Sequence, residues 1–256
     1  MSHFLDVPQQ LVSTSEGLVA MPILYRDVSA LTAMFRVPVE RVAPLLEGSG
    51  LQAVPALGAD ALVVLAWFEY RDCTIGPYNE VGLAALVVPQ GQSPSRLAVL
   101  DMFRPLPCRQ AGMHILDLPV TSAMACAAGR ELWGFPKFIT PIPWTVRAGR
   151  FEGRVQDPRS RQTICEMAGT LGPGVPMPSG DILLYGRFHG ELIRTRVEVR
   201  ARQMAHRGAG LTLSVGASHH AMASRLRALG LDGASPMMVQ RTSRFQSRLH
   251  LGERLG

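Results

Sequence analysis

Lysine is almost missing from this chain. Of its 26 lysine and arginine residues, 25 are arginine and one, Lys137, is lysine. Arginine serves for solubility and ion pairing but keeps its proton, whereas lysine can shed its proton and act as an amine nucleophile. The single lysine is therefore either a product of composition drift or a residue kept for that chemistry. Cysteine is also scarce: Cys73, Cys108, Cys126 and Cys165 are scattered, with no CxxC pair and no metal-ligand spacing. That pattern argues against a disulfide framework or a thiolate metal site, and predicts reduced thiols in a cytoplasmic protein. No apolar run approaches the roughly 20 residues of a membrane span; the longest cover 61–68 and 81–89. The opening MSHFLDVPQQ has neither a basic n-region nor an apolar h-region, so no signal peptide and no membrane partner are expected.

Aromatic residues make up only 6% of the chain, although its net charge is +6. Arginines cluster over Arg187–Arg207 and Arg241–Arg254, yet those stretches have few aromatics for base stacking and carry no nucleic-acid-binding signature. They are expected to form a solvated face rather than a nucleic-acid site, and the positive field suits an anionic small substrate. Gly169–Gly174 is glycine-rich but contains Pro173 and lacks the strand–loop–helix context of a phosphate cradle, so it is expected to be a loop. No cofactor and no metal are expected.

What is present is a hydrophobic composition of 47% without repeats or low-complexity runs. This predicts one domain over residues 1–256, with residues 1–16 as a loose arm. Leu18–Leu24 can enter a sheet. Val28–Phe35 and Pro38–Leu46 carry helical spacing, with Gly48 and Gly50 ending the second. From Asp60 the texture is that of strands: Ala61–Tyr70 and Glu80–Val88 are apolar on both faces, and Leu97–Phe103 and Met113–Leu118 follow. Pro119, Thr121 and Ser122 can start and cap a helix over Ala123–Trp133. Gly134 suits a left-handed end residue, and Pro136 stops the helix and holds Phe135 extended. Lys137 then opens a new strand, with Pro141 and Pro143 placing Phe138–Val146 at an edge or bulge. Further strands are expected over Phe151–Val155, Gln162–Thr170, Ile182–Phe188, Glu191–Arg200, Leu211–Val215 and Pro236–Leu249, with a helix over Ser218–Leu229. Many short strands with few helices predict an α+β fold, mostly antiparallel, around a barrel-like β core.

The nonapeptide Gly129-Arg130-Glu131-Leu132-Trp133-Gly134-Phe135-Pro136-Lys137 resembles the motif of the acetoacetate decarboxylase superfamily: Gly-Arg-Glu, three residues, then aromatic-Pro-Lys. Acetoacetate decarboxylase is itself the standard illustration of a lysine activated by an apolar pocket or a neighbouring cation. The resemblance implies that Lys137 forms an imine with a keto acid, in a closed or conical barrel that assembles as a homo-oligomer. Gly76-Pro77-Tyr78-Asn79-Glu80 resembles the family's Gly-x-Tyr-x-Glu segment, which implies an active-site carboxylate at Glu80. Tyr25-Arg26-Asp27 resembles its early Tyr-Arg-x-Asp segment, with the aspartate one residue sooner. The departures are as informative. In the decarboxylases a second lysine follows the nucleophile; here that residue is Phe138. Gap-free counting puts the family's N-terminal arginine at Leu18 and its other strand carboxylate at Leu65.

Lys137 and Glu80 are thus the candidate catalytic residues. Tyr78, Arg130, Glu131, Trp133, Phe135 and Phe138 neighbour them in sequence and are candidate substrate contacts. His114 opens an apolar strand, where a satisfied core histidine is the plainer reading, and Arg104 could grip a substrate carboxylate. The leading expectation is decarboxylation of a β-keto acid through a Lys137 imine. Aldol addition and dehydration through the same imine, or a barrel that binds a hydrophobic ligand without catalysis, are the alternatives.

Overall fold

The computed structural model describes residues 4–55, 58–92, 101 and 104–255. Seven long strands are laid out in chain order: β1 Ile23–Pro38, β2 Asp60–Cys73, β3 Tyr78–Pro89, β4 Gly112–Val120, β5 Ile182–Phe188, β6 Glu191–Ala201 and β7 Met238–Leu249. They pair in sequence order, and β7 returns to β1 as well as β6, which closes the ring. An odd number of strands cannot alternate in direction all the way round, so one neighbouring pair must be parallel. That pair is β4–β5, joined through Met113↔Leu184 and His114↔Tyr185. A parallel step needs a long crossover. Residues 121–181 supply it, and they carry the helix and the lysine of the nonapeptide.

The walls are apolar on both sides because both sides are covered. Along β2, Val64, Ala66, Phe68 and Tyr70 face the lumen. The alternate Val63, Leu65 and Trp67 are buried in a second core outside it. There a four-stranded sheet, in the order Leu211–Val215, Thr163–Thr170, Arg150–Gln156 and Trp144–Arg147, lies over the barrel. Trp67 meets Phe151 edge-on at 5.6 Å, and Met222, Ala223 and Leu226 of the helix Ala221–Ala228 join that core.

This double burial overturns one expectation. Val28–Phe35 is the middle of β1 rather than a helix. Ala30, Thr32 and Met34 line the lumen while Leu31, Ala33 and Phe35 enter the outer core, so no polar face marks the two-residue period. Within residues 1–16, Gln10–Thr14 is not loose but pairs with Gly17–Met21 in a hairpin. The strand expected over Phe138–Val146 is split by its prolines into Lys137–Ile139 and Trp144–Arg147. Leu97–Phe103, apart from Asp101, lies outside the described residues. Cys73, Cys126 and Cys165 are buried and Cys108 is exposed, all as free thiols. Among the described residues no helix is long and apolar enough to cross a membrane.

Candidate active site

The helix Ala123–Trp133 begins with Ser122 as its cap, whose Oγ accepts from the Ala125 N–H at 3.3 Å. It ends at Gly134, which takes the left-handed conformation (φ 65°). The N–H groups of Gly134 and Phe135 donate to Arg130 and Gly129 carbonyls at 3.1 and 3.0 Å. Three residues later Lys137–Ile139 pairs in parallel with the end of β4, Leu118 opposite Lys137. This is the same edge of β4 whose earlier half pairs with β5. Lys137 therefore enters the barrel wall where the ring changes partners, and like Leu118 it faces the lumen.

Lys137 is 6% exposed and Glu80, on β3, 7%. Lys137 Nζ lies 2.6 Å from Glu80 Oε2, and the Tyr70 hydroxyl donates to Oε1 at 3.1 Å. Tyr25 and Tyr78 share a hydrogen bond of 3.1 Å between their hydroxyls, and the Tyr70 ring sits 4.5 Å from both of theirs. Burial first, and then the Glu80 carboxylate, hold the Tyr25 and Tyr70 phenols well above their ordinary value. Tyr78 is raised by burial, then by Tyr25 and Glu80. All three stay protonated. Gly129, on the helix face beneath the lysine, leaves room for its stem: a Cβ there would collide with Lys137 Cδ and Cε.

Around this group runs a cavity of about 270 Å³, lined by all seven barrel strands, the helix and the segment Met177–Asp181. Pro178 and Gly180 of that segment are exposed, so the cavity meets solvent there. Its wall is largely aliphatic and aromatic. Glu80 and Asp181 are its acids, and Lys137 is the one cation among the described lining residues. Among the described residues no group of three or more histidine, cysteine or acidic side chains converges on a metal-sized point.

The remaining candidates divide by the direction of their side chains. Trp133 and Phe135 line the cavity, their rings stacked at 5.9 Å. Tyr78 shares Glu80's face of β3 and packs against the lining residues Tyr25 and Tyr70, with Lys137 Nζ 5.8 Å from its ring centre. Phe138 does not reach the cavity: successive strand residues point to opposite faces, and Phe138 packs on His220 at 4.4 Å in the outer core. A residue at this position cannot act on the lysine by proximity. Arg130 and Glu131 are exposed and structural. Arg130 Nε donates to the Lys137 carbonyl at 2.8 Å, and Glu131 receives the Ser15 N–H and hydroxyl, fastening the hairpin to the helix. His114 Nδ1 meets the Tyr185 carbonyl at 3.0 Å, away from the lumen, and burial lowers its pKa. Arg104 is exposed and pairs with Asp101 at 3.2 Å. Leu18 is exposed on the hairpin and Leu65 faces outward; neither gap-free count lands in the cavity. Tyr70 is the site residue that motif reading missed, and Tyr25, although it opens the Tyr25-Arg26-Asp27 segment, was not among the candidate contacts. Scarcity was the signal the two share, since three of the chain's four tyrosines meet here.

The site is thus a closed barrel whose apolar chamber holds the chain's single lysine against a buried carboxylate. The model of the family described as acetoacetate decarboxylase matches residues 6–223, and the chain belongs to that family. Acetoacetate decarboxylase from Legionella pneumophila superposes with a TM-score of 0.68 at 14% identity, over 99% of this chain and 93% of its own. An acetoacetate decarboxylase-like enzyme from Sphingomonas wittichii RW1 gives 0.63 at 15%, over 91% and 92%. The enduracididine biosynthesis enzyme MppR, complexed with pyruvate, gives 0.64 at 14%, over 94% and 93%. At such identities the likeness is one of fold. No curated protein matches the chain in sequence.

Proposed function

We propose that this decarboxylase-like enzyme is a Schiff-base-forming carbon–carbon lyase that decarboxylates a β-keto acid through an imine at Lys137. The observation that carries the reading is the 2.6 Å contact between Lys137 Nζ and Glu80 Oε2 inside an apolar chamber. A proton passed along that contact leaves a free amine beside a carboxylic acid. The amine adds to the ketone carbon. Glu80 returns its proton to the departing hydroxyl, so that water leaves and a protonated imine remains. The bond to the carboxylate then breaks, CO₂ departs, and its electron pair moves into the iminium to give an enamine. Protonation at carbon and hydrolysis release the ketone and restore the lysine.

The cavity wall favours decarboxylation over aldol addition and dehydration. Among the described residues no arginine and no second lysine lines it. A carboxylate carried through a complete aldol–dehydration cycle would stay buried without a dedicated partner, which is unfavourable. A β-keto acid removes that charge as CO₂ in the first carbon–carbon step.

The test is borohydride trapping. Incubation with a panel of β-keto and α-keto acids, reduction, and intact-mass measurement are expected to give one adduct. Peptide mapping should place it at Lys137 rather than at the N-terminal amine. Loss of CO₂ from β-keto adducts should show in the mass, and Lys137→Arg should abolish trapping because its guanidinium stays protonated. If no acid is trapped, the chain is better read as a barrel that binds an apolar ligand.

A further inference from the structure

The cavity continues well beyond the reacting groups. From Glu80 the lumen-facing residues of β3 are Gly82 and Ala84, and the partner strand β2 sets Ala66 opposite Gly82 and Val64 opposite Ala84. Ala30 of β1 also faces in. Four small residues on three adjacent strands thus leave open a track that begins at the catalytic carboxylate. Ile115 and Met113 of β4 flank its other side. Filling the track would be easy for evolution, since one leucine would do it. Gly82 is already close to Leu118, whose Cδ1 would lie 3.3 Å from an added Cβ. Along β2 the lined stretch from Val64 to Tyr70 extends about 20 Å at roughly 3.3 Å per residue. A volume of about 270 Å³ spread over such a length is narrow, and a four-carbon keto acid would fill only its catalytic end.

We infer that the substrate is a β-keto acid with an unbranched apolar tail of medium length, seated along Gly82, Ala84, Ala66 and Val64, and that the product is the corresponding methyl ketone. The inference rests on the imine reading for its headgroup and on the small-residue track for its tail. The carboxylate end and the carbon that loses it lie beside Lys137 and Glu80. The alkyl group on the far side of the ketone runs down the track, where no charged side chain among the described residues meets it short of Asp181 near the exposed segment. Each further methylene leaves water for an aliphatic wall, which favours binding by roughly fourfold per group.

Methyl ketones are stable probes because they form the same imine without a carboxylate to lose. We would measure the concentration of ketone that gives half-maximal borohydride trapping at Lys137, from acetone through 2-pentanone, 2-heptanone and 2-nonanone to 2-undecanone. The expected result is a fall of roughly fourfold per methylene that levels off once the tail fills the lumen. Ala84→Leu, some 13 Å of strand beyond Glu80 at that same rise per residue, should bring the plateau to a shorter ketone. The preference for 2-nonanone over 2-pentanone should then drop at least tenfold. Ala66→Val repeats the test with a smaller intrusion, should the leucine variant fail to fold. Trapping that is equally efficient at every length, or a preference that neither variant changes, would overturn the tail assignment while leaving the imine intact. Failure of the imine reading looks different: no ketone of any length is trapped. Binding of 2-nonanone measured calorimetrically without reductant then decides the tail assignment, which falls if 2-nonanone binds no more tightly than 2-pentanone.

Discussion

At the scale of single residues, the site rests on Glu80 as much as on Lys137. Its two carboxylate oxygens are taken by different partners, Lys137 on one and Tyr70 on the other, so its orientation is held on both sides. Glu80→Gln keeps the size and the hydrogen-bonding capacity but removes the proton transfer proposed for it. Turnover on a β-keto acid should fall by roughly 10²-fold or more, with the far-UV circular dichroism unchanged. Wild-type turnover in that variant would make Glu80 a structural residue. Both of these residues were legible in the sequence because each sits in a short motif with fixed spacing. Their neighbours were not. Arg130, Glu131 and Phe138 lie next to the lysine in the chain, but helical and strand geometry turn them to other faces. Tyr70 reaches Glu80 from the next strand, a neighbour that no linear spacing reports. Phe138 also shows that the missing second lysine leaves no gap in the chamber, because the position belongs to the outer core.

At the scale of elements, the decisive unit is the corner formed by the helix Ala123–Trp133, Gly134 and the strand Lys137–Ile139. Its boundaries were readable because each end carries its own chemical signal: a serine cap, a left-handed glycine and a proline that forbids continuation. The corner also explains Gly129, whose bare Cα is what the lysine stem lies against. Gly129→Ala favours the helix by about 1 kcal/mol in intrinsic propensity, yet its methyl would occupy the place of Lys137 Cδ and Cε. The expected outcome is slower imine trapping, by tenfold or more, in a protein that still folds. Trapping at the wild-type rate would show that the lysine can take another path into the lumen. The β1 strand was the opposite case. Its sequence is apolar inside and out because a barrel lumen and a second sheet cover its two faces, and a strand buried twice loses the alternation that would name it.

At the scale of the whole molecule, the second sheet and the helix Ala221–Ala228 turn the outer face of the barrel into a core that encloses the carboxyl of Asp117. Asp117 of β4 is 3% exposed, with Oδ1 held by Arg225 at 2.5 Å and Oδ2 without a partner. Burial pushes its pKa up to about 7, against the opposing pull of Arg225. A carboxyl raised above its unfolded value of 3.8 favours the folded state most at low pH. That contribution is lost as the pH rises from about 4 through about 7. Asp117→Asn cannot titrate, so its urea-unfolding free energy should gain on the wild type by up to about 1.4 kcal/mol per pH unit across that window. Parallel pH profiles for the two proteins would count against the assignment. The closure of the ring has a different kind of consequence, in time rather than in energy. β7 pairs Leu249 with Ile23 and Val197, so the chamber has no complete wall until a late stretch of the chain finds one of the earliest. Contacts so distant in sequence form slowly. Until they do, the lysine and its carboxylate stand on an open sheet, in water, where an amine is an ordinary surface group. The surroundings that the proposed chemistry asks of Lys137 therefore exist only once the two ends of the barrel have met.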